Sequence, residues 1–104
     1  MRIYYTPESL EDLQAVKASV VEKFFDEELA LRVLKDITQN IRKLEIFPNM
    51  GTDLSSVTIA GKGYRYLFCR KNYIFYRIEE DTVRIIRVLN EKQDYMRILF
   101  GITE

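Results

Sequence analysis

The side chains best suited to chemistry stand in the bend that follows the most strand-like segment of the chain. The run RVLNEKQDY, residues 87–95, passes from the apolar Val88 and Leu89 into a polar bend and ends on a tyrosine. Lys92 offers a cation there, and Tyr95 offers a phenolic hydroxyl. A phenol has an ordinary pKa of about 10, so it needs a strong cationic neighbour to exchange protons at neutral pH. The bend therefore either carries a site or redirects the chain so that Tyr95 packs.

The composition excludes several kinds of catalytic and metal site. The sequence contains no histidine and a single cysteine, Cys69. It therefore lacks the residues for a Ser-His-Asp or Cys-His arrangement, for a disulfide within the chain, and for a Cys/His zinc site. No spacing of carboxylates indicates a magnesium or calcium site, and we expect neither a metal nor a cofactor. Cys69 is most simply interpreted as a small buried apolar residue.

The N-terminal part of the chain predicts a strand and two helices. Residues 2–5 are typical of a short strand. Thr6 then suits a helix cap, and Pro7 suits the first helical position, where its missing N–H costs nothing. Asp26 suits the cap of a second helix, which Pro48 ends. Apolar residues recur at spacings of three and four in both segments: Leu10, Leu13, Val16, Val20 and Phe24, then Leu29, Val33, Ile37, Ile41 and Leu44.

The remainder of the chain predicts a loop and three strands. Residues 48–63 are a loop that could contain a short strand at 57–59. Strands are predicted at 64–70, 73–78 and 83–89, with tight turns at Lys71-Asn72 and at 79–82, so the three strands form an antiparallel meander. Residues 94–100 have helical spacing and could form one or two turns.

These elements predict one α+β domain over residues 1–104. A helical hairpin follows the N-terminal strand, although one continuous kinked helix is an alternative. The helices cannot bury their apolar stripes alone, so we expect them to pack on one face of the sheet. No segment approaches membrane-spanning length, and the N-terminus lacks a stretch of signal-peptide length. We therefore expect a cytoplasmic protein that makes no contact with a membrane.

The formal net charge is zero, but the two parts of the chain differ in sign. Residues 1–60 carry seven Lys/Arg and ten Asp/Glu, whereas residues 61–104 carry nine Lys/Arg and six Asp/Glu. The C-terminal part is therefore the better candidate for contact with an anionic partner, although solvated strand and turn residues also account for such a bias.

Three segments together resemble the RelE/ParE superfamily of type II toxins, and the ParE branch most. They are FPNMG (47–51), GYRYLFCRKNYIFYRI (63–78) and VRIIRVLNEKQDYMRIL (83–99). The resemblance covers nearly the whole chain and implies a toxin that a cognate antitoxin neutralises. ParE-type members poison DNA gyrase, whereas RelE-type members cut mRNA on the ribosome.

The RelE alternative implies a catalytic set that this sequence matches in part. Arg65 stands where a basic residue is expected, and Lys92, Tyr95 and Arg97 could complete a substituted RNase site near it. Leu67, however, stands where RelE has a lysine. Ile74 stands where RelE has a catalytic arginine. RNA cleavage needs groups that accept and donate protons and cations that hold the phosphate, and ribosomal RNA favours a strongly basic surface.

The preferred hypothesis is therefore a ParE-like, non-hydrolytic inhibitor of DNA gyrase. Arg77, Arg84, Arg87 and Tyr95 are the candidates for contact with the target or with the antitoxin, since Tyr and Arg are enriched in interfaces. The ribosome with its mRNA is the alternative target, and an inactive member that binds or regulates is a third possibility. Direct sequence-specific binding to DNA is not expected.

Overall fold

The computed structural model describes residues 1–102, in which a five-stranded sheet carries two long helices on one side. The strands are β1 (Arg2–Tyr5), β2 (Thr52–Asp53), β3 (Arg65–Cys69), β4 (Asn72–Glu79) and β5 (Thr82–Asn90). Their order across the sheet is β1-β5-β4-β3-β2. β1 runs parallel to β5, and every other neighbouring pair is antiparallel. The expected α+β class and the meander of β3, β4 and β5 are confirmed.

The two long helices are separate and begin at the predicted caps. α1 (Pro7–Phe24) begins after Thr6, whose side chain accepts a hydrogen bond from the Ser9 amide. α2 (Glu27–Arg42) begins after Asp26, which caps the Leu29 amide in the same way. Phe25 ends α1 with a left-handed φ of 53°, so the chain turns back there. This break excludes the single kinked helix.

Both faces of the sheet carry buried residues, but different elements cover them, and the second face is covered only in part. The apolar stripes of α1 and α2 pack on one face, against alternate residues of β1, β4 and β5. The other face is partly covered by the short helix α3 (Tyr95–Phe100) and by a 3₁₀ turn at Leu54–Ser56. The buried residues of the helix face include Val33, Ile37, Ile41, Leu44, Ile74, Tyr76, Val83, Ile85 and Val88.

The structure corrects two local predictions. Residues 57–59 do not form a strand, because a 3₁₀ turn occupies Ile59–Gly61 and the short strand lies earlier, at Thr52–Asp53. The β3–β4 turn is Arg70-Lys71 rather than Lys71-Asn72, and Asn72 already pairs with Cys69. Arg70 and Lys71 both adopt positive φ, 52° and 64°. Neither residue type favours that region, so the propensity of Asn72 did not decide the register.

Part of β5 extends beyond the short β1, and groups from α1 and its cap hydrogen-bond to that edge. On its other side β5 pairs with β4 through a β-bulge, in which Phe75 pairs with Arg87 and Tyr76 with Ile85. The Thr6 hydroxyl donates to the carbonyl of Ile86 at 2.9 Å. These contacts satisfy backbone groups that β1 does not reach.

Asp12 of α1 binds the same strand through its carboxylate. It accepts the backbone N–H of Val88 at 2.9 Å and two guanidinium bonds from Arg87 at 2.7 and 2.9 Å. The carboxylate raises the pKa of Arg87 above its ordinary value. The Asp12 side chain is 12% exposed and that of Arg87 is 28% exposed, so the pair is largely withdrawn from water.

Replacing Asp12 by Ala should lower the free energy of unfolding by about 2–4 kcal/mol, because the variant leaves a partly buried guanidinium and an amide without their acceptor. Asp36→Ala is the matched control. Asp36 pairs with Arg70 at the same 2.7 Å, but these side chains are 43% and 42% exposed, and the loss should stay below about 1 kcal/mol. Urea unfolding measures both variants, and equal losses would contradict the role of Asp12.

Candidate functional site

Arg65 lies at the start of β3, and its guanidinium is occupied by backbone groups. One guanidinium nitrogen, Nη1, donates to the carbonyl of Gly51 at 2.7 Å and to that of Asn49 at 3.2 Å. Both carbonyls belong to the bend that precedes β2. Arg65 therefore holds this bend against the sheet, and part of its hydrogen-bonding capacity is already used.

Tyr76 fastens the same bend from within the core. Its hydroxyl donates to the Pro48 carbonyl at 2.7 Å and accepts the Gly51 amide at 2.9 Å. Burial raises the pKa of the Tyr76 phenol above its ordinary value, so the hydroxyl keeps its proton further into the alkaline range. A Cβ atom on Gly51 would lie 2.5 Å from the Tyr76 hydroxyl oxygen. The close approach of backbone to phenol explains why glycine stands here.

The polar bend after β5 is organised by its own side chains. The Asn90 carboxamide accepts the Lys92 amide, and the Gln93 carboxamide accepts the Asn90 amide. The Glu91 amide donates to the Lys71 carbonyl at 2.9 Å, which joins this bend to the β3–β4 turn. Asp94 caps α3 through the Arg97 amide. The bend redirects the chain so that α3 crosses onto the aromatic face of the sheet.

Tyr95, the first residue of α3, packs in an aromatic cluster. Its ring centre lies 5.1 Å from that of Phe75 and 5.4 Å from that of Tyr73. Burial raises the pKa of the Tyr95 phenol, and the neighbouring Tyr73 and Tyr66 raise it further. The environment therefore favours the neutral phenol. A general base at neutral pH needs a lowered pKa, and a raised pKa also makes the phenol a weaker general acid.

The four residues of the substituted RNase site are not brought into one cluster. Arg65 is the cross-strand partner of Tyr76, whereas the bend that contains Lys92 follows Asn90, the partner of Asn72. Arg65 and Lys92 therefore lie at opposite ends of the meander, and the expected proximity of the bend to Arg65 is wrong. Arg97 lies exposed on α3.

Of the other basic candidates, Arg87 is bound by a carboxylate of the chain itself, whereas Arg77 and Arg84 lie side by side on the sheet. Arg87 is bound to Asp12 within the chain. Arg77 and Arg84 are cross-strand partners, so their side chains leave the sheet on the same side. That side is the one that α3 partly covers, because Arg77 alternates with the buried Tyr76 of the helix face.

Tyrosines flank this arginine pair on the two outer sides. The Arg77 guanidinium carbon lies 4.8 Å from the ring centre of Tyr64, and that of Arg84 lies 5.7 Å from the ring centre of Tyr4. Tyr4 is the register partner of Arg84 on β1. The sequence could not reveal this row, since its members come from four separate segments of the chain.

Sequence reasoning also missed a groove at the end of the helical hairpin where α1 turns back into α2. It has a volume of about 580 Å³ and lies between α1, α2 and the ends of β4 and β5. Its apolar wall includes Val16, Val20, Phe24, Leu29, Val33 and Val88. Asn72 adds a polar group that is 4% exposed. No local pattern in the sequence marks this groove, because its lining comes from both helices and from two strands.

Two further sequence expectations concern nucleophiles and metals. Cys69 is half-buried against the helix-face core and accepts a hydrogen bond from the Asn40 carboxamide at 3.2 Å. Burial raises the pKa of the Cys69 thiol, which opposes formation of a reactive thiolate. Within residues 1–102, no cluster of three or more Cys, Asp or Glu residues is arranged to hold a metal ion. No helix in the same part of the chain is long and apolar enough to cross a membrane.

The chain matches one protein-family model, and its fold is similar to that of a solved structure. Residues 3–95 match the family model described as the ParE toxin of the type II toxin–antitoxin system, parDE. The fold is similar to a solved structure titled as the chromosomal ParDE toxin–antitoxin system from P. aeruginosa, with a TM-score of 0.71 and 22% sequence identity. That match covers 86% of this chain and 95% of the other. No curated protein sequence matches the chain.

Replacing Tyr76 by Phe should lower the free energy of unfolding by about 1–3 kcal/mol, because the variant leaves the buried Gly51 amide without its acceptor. Amide hydrogen exchange at Gly51 should accelerate, since the bend at residues 48–51 loses a tether. Tyr73→Phe, a tyrosine of the aromatic cluster, is the control. If exchange at Gly51 were unchanged in Tyr76→Phe, the tethering role would be refuted.

Alkaline pH should destabilise the protein through three tyrosines that are buried or partly buried. Burial raises the pKa values of Tyr5, Tyr76 and Tyr95 in the folded state. The folded chain therefore retains protons that the unfolded chain releases near pH 10, so stability is complete below about pH 10 and falls as the pH rises through the folded-state values. Unfolding free energies measured across this range, with Tyr95→Phe reducing the slope, provide the test. A flat profile would contradict the assignment.

Proposed function

The chain belongs to the ParE toxin family of type II toxin–antitoxin systems, and on that premise we propose that it inhibits growth by binding DNA gyrase rather than by cutting RNA. The family match spans residues 3–95, which include every candidate side chain except Arg97. The chain is a type II toxin, and an antitoxin is its partner. Gyrase as the target is our proposal.

The observation that carries this proposal is the packing of Tyr95. The proton-transfer chemistry of RNA cleavage requires an ionisable group poised near the reacting atoms. The Tyr95 ring instead lies against Tyr73 and Phe75, in surroundings that favour its neutral form. Arg65 and Lys92, which would have to act with it, lie at opposite ends of the meander.

The charge of the chain supports the same proposal. The formal net charge is zero. A protein that enters the ribosome meets a dense field of phosphates, and neutralising several of them requires many lysines and arginines on one surface. A protein target makes no such demand, because protein interfaces combine apolar, aromatic and arginine contacts.

Three further proposals complete the description of this function. Residues 1–104 act as one toxin domain, and the toxin works in the cytoplasm. Arg77, Arg84 and Tyr95 remain proposed contacts with the target or the antitoxin, Tyr95 through its ring rather than its hydroxyl. Arg87 remains a weaker proposal because Asp12 already binds its guanidinium.

The proposal predicts that the purified chain inhibits supercoiling by DNA gyrase, and that Tyr95→Phe inhibits it as well as the wild type does. The variant removes the phenolic oxygen and keeps the ring that packs on Phe75. Inhibition is measured by gel electrophoresis of relaxed plasmid with gyrase and ATP. Preincubation with the cognate antitoxin should restore supercoiling and serves as the specificity control.

The wild-type chain and the Tyr95→Phe variant also distinguish the gyrase inhibitor from the mRNA endonuclease in cells. Each is induced without antitoxin, and new mRNA 5′ ends are mapped within minutes of growth arrest. Cuts within translated codons that disappear in Tyr95→Phe would overturn the proposal and establish an mRNA endonuclease. Arrest with intact transcripts and a DNA-damage response is the expected result. A folded chain that causes no arrest and leaves gyrase active would indicate an inactive family member.

A further inference from the structure

Two arginines face each other on the open part of the sheet. Arg77 of β4 and Arg84 of β5 are directly opposite in the register, so their side chains leave the sheet as neighbours. Like charges directly opposite across two strands destabilise a sheet. The free toxin therefore carries an arrangement that works against its own stability.

The chain neutralises this pair incompletely. Glu79 lies 3.6 Å from the guanidinium of Arg84, and both side chains are nearly half exposed. Such a pair contributes little energy. Among the ion pairs of residues 1–102, none includes Arg77, and its buried Nε has no hydrogen-bond acceptor there. A partly buried guanidinium without an acceptor is a further cost.

Aromatic rings hold the two guanidinium groups in place without using their N–H donors. Arg77 lies over Tyr64, and Arg84 lies near Tyr4. Gly63 lies beside the Arg77 guanidinium and has a positive φ of 86°, which is the feature that favours glycine at this position. Cation–π contact positions a guanidinium by its face, so the donors at its edge stay free. The pair is therefore oriented to receive an acceptor from outside the chain.

We propose that Arg77 and Arg84 form a binding site for a carboxylate of the cognate antitoxin, an inference that rests on the toxin function proposed above. A carboxylate placed there would accept charge-assisted bonds from both guanidinium groups. It would also relieve their mutual repulsion. The Arg77–Arg84 pair destabilises the free toxin, and a bound carboxylate would stabilise the complex. The antitoxin, which holds the toxin inactive in a complex, is therefore the partner that gains from this pair.

A carboxylate on a protein fits this surface better than a nucleic acid does. Arg2, two residues before Tyr4 on β1, adds a third arginine to the same side of the sheet. Glu79 stands among them and would repel a chain of phosphates. Binding to nucleic acid gains from a track of many cations, whereas three arginines and one glutamate form a short cluster that suits one or two acidic side chains.

The test measures the affinity of the purified toxin for its antitoxin by isothermal titration calorimetry. The toxin variants are Arg84→Gln and the double variant Arg77→Gln/Arg84→Gln. Arg42→Gln is the matched control, because this arginine is 79% exposed at the end of α2, away from the open face. The double variant should bind at least about tenfold more weakly, and its affinity should depend less on salt. Arg42→Gln should bind like the wild type.

A second readout separates a binding role from damage to the fold. Because the substitution removes a like-charge contact, the free Arg84→Gln toxin should unfold at the same urea concentration as the wild type or a higher one. Weaker binding by a toxin that is no less stable supports the proposal. A charge-reversal test adds to this. Each Asp and Glu of the antitoxin is replaced in turn by Lys, and one of these antitoxin variants should restore affinity for the Arg84→Glu toxin.

The proposal is overturned if the double variant binds the antitoxin like the wild type, or if Arg42→Gln weakens binding equally. It is also overturned if the double variant loses inhibition of gyrase while antitoxin affinity is unchanged, since the pair would then contact the target. Because the affinity is measured without gyrase, a failure of the gyrase proposal leaves this result interpretable.

Discussion

The edge of β5 that extends beyond β1 determines how the first strand, the first helix and the sheet fit together. β1 is four residues long and pairs with the first part of β5. The remaining backbone groups of β5 need partners, because unpaired groups at a partly buried strand are costly. Thr6 and Asp12, from α1 and its cap, pair with two of them, the Ile86 carbonyl and the Val88 amide. The same contacts join the first strand, the first helix and the centre of the sheet.

This arrangement gives the two faces of the sheet different roles. The hairpin of α1 and α2 covers one face with aliphatic side chains. These side chains and those of the sheet form one hydrophobic core. The opposite face is aromatic near α3 and cationic near β1. The ring of Tyr95 packs in the aromatic part, against Tyr73 and Phe75. The cationic part is not covered by α3, and it is the surface that we propose as the contact with a partner.

Local signals in the sequence were accurate where neighbouring residues decide the structure. Thr6 and Asp26 cap helices because the hydrogen bond from a cap closes within three residues. The meander followed from alternation and short turns. Its first turn was misplaced by one residue, because strand pairing across the whole sheet imposed positive φ on Arg70 and Lys71. Strand β2 was missed, since two residues carry no periodicity.

From the sequence alone we could predict the two long helices, four of the five strands, their order, the family resemblance and the kinds of site that a chain without histidine cannot build. The tertiary structure alone decided which candidate side chains meet. Arg65 and Lys92 lie apart because the register of the meander places them at opposite ends. Arg77 and Arg84 lie together because the same register makes them opposite neighbours. Proximity between residues distant in sequence depends on pairing across the sheet, and no local pattern records that pairing.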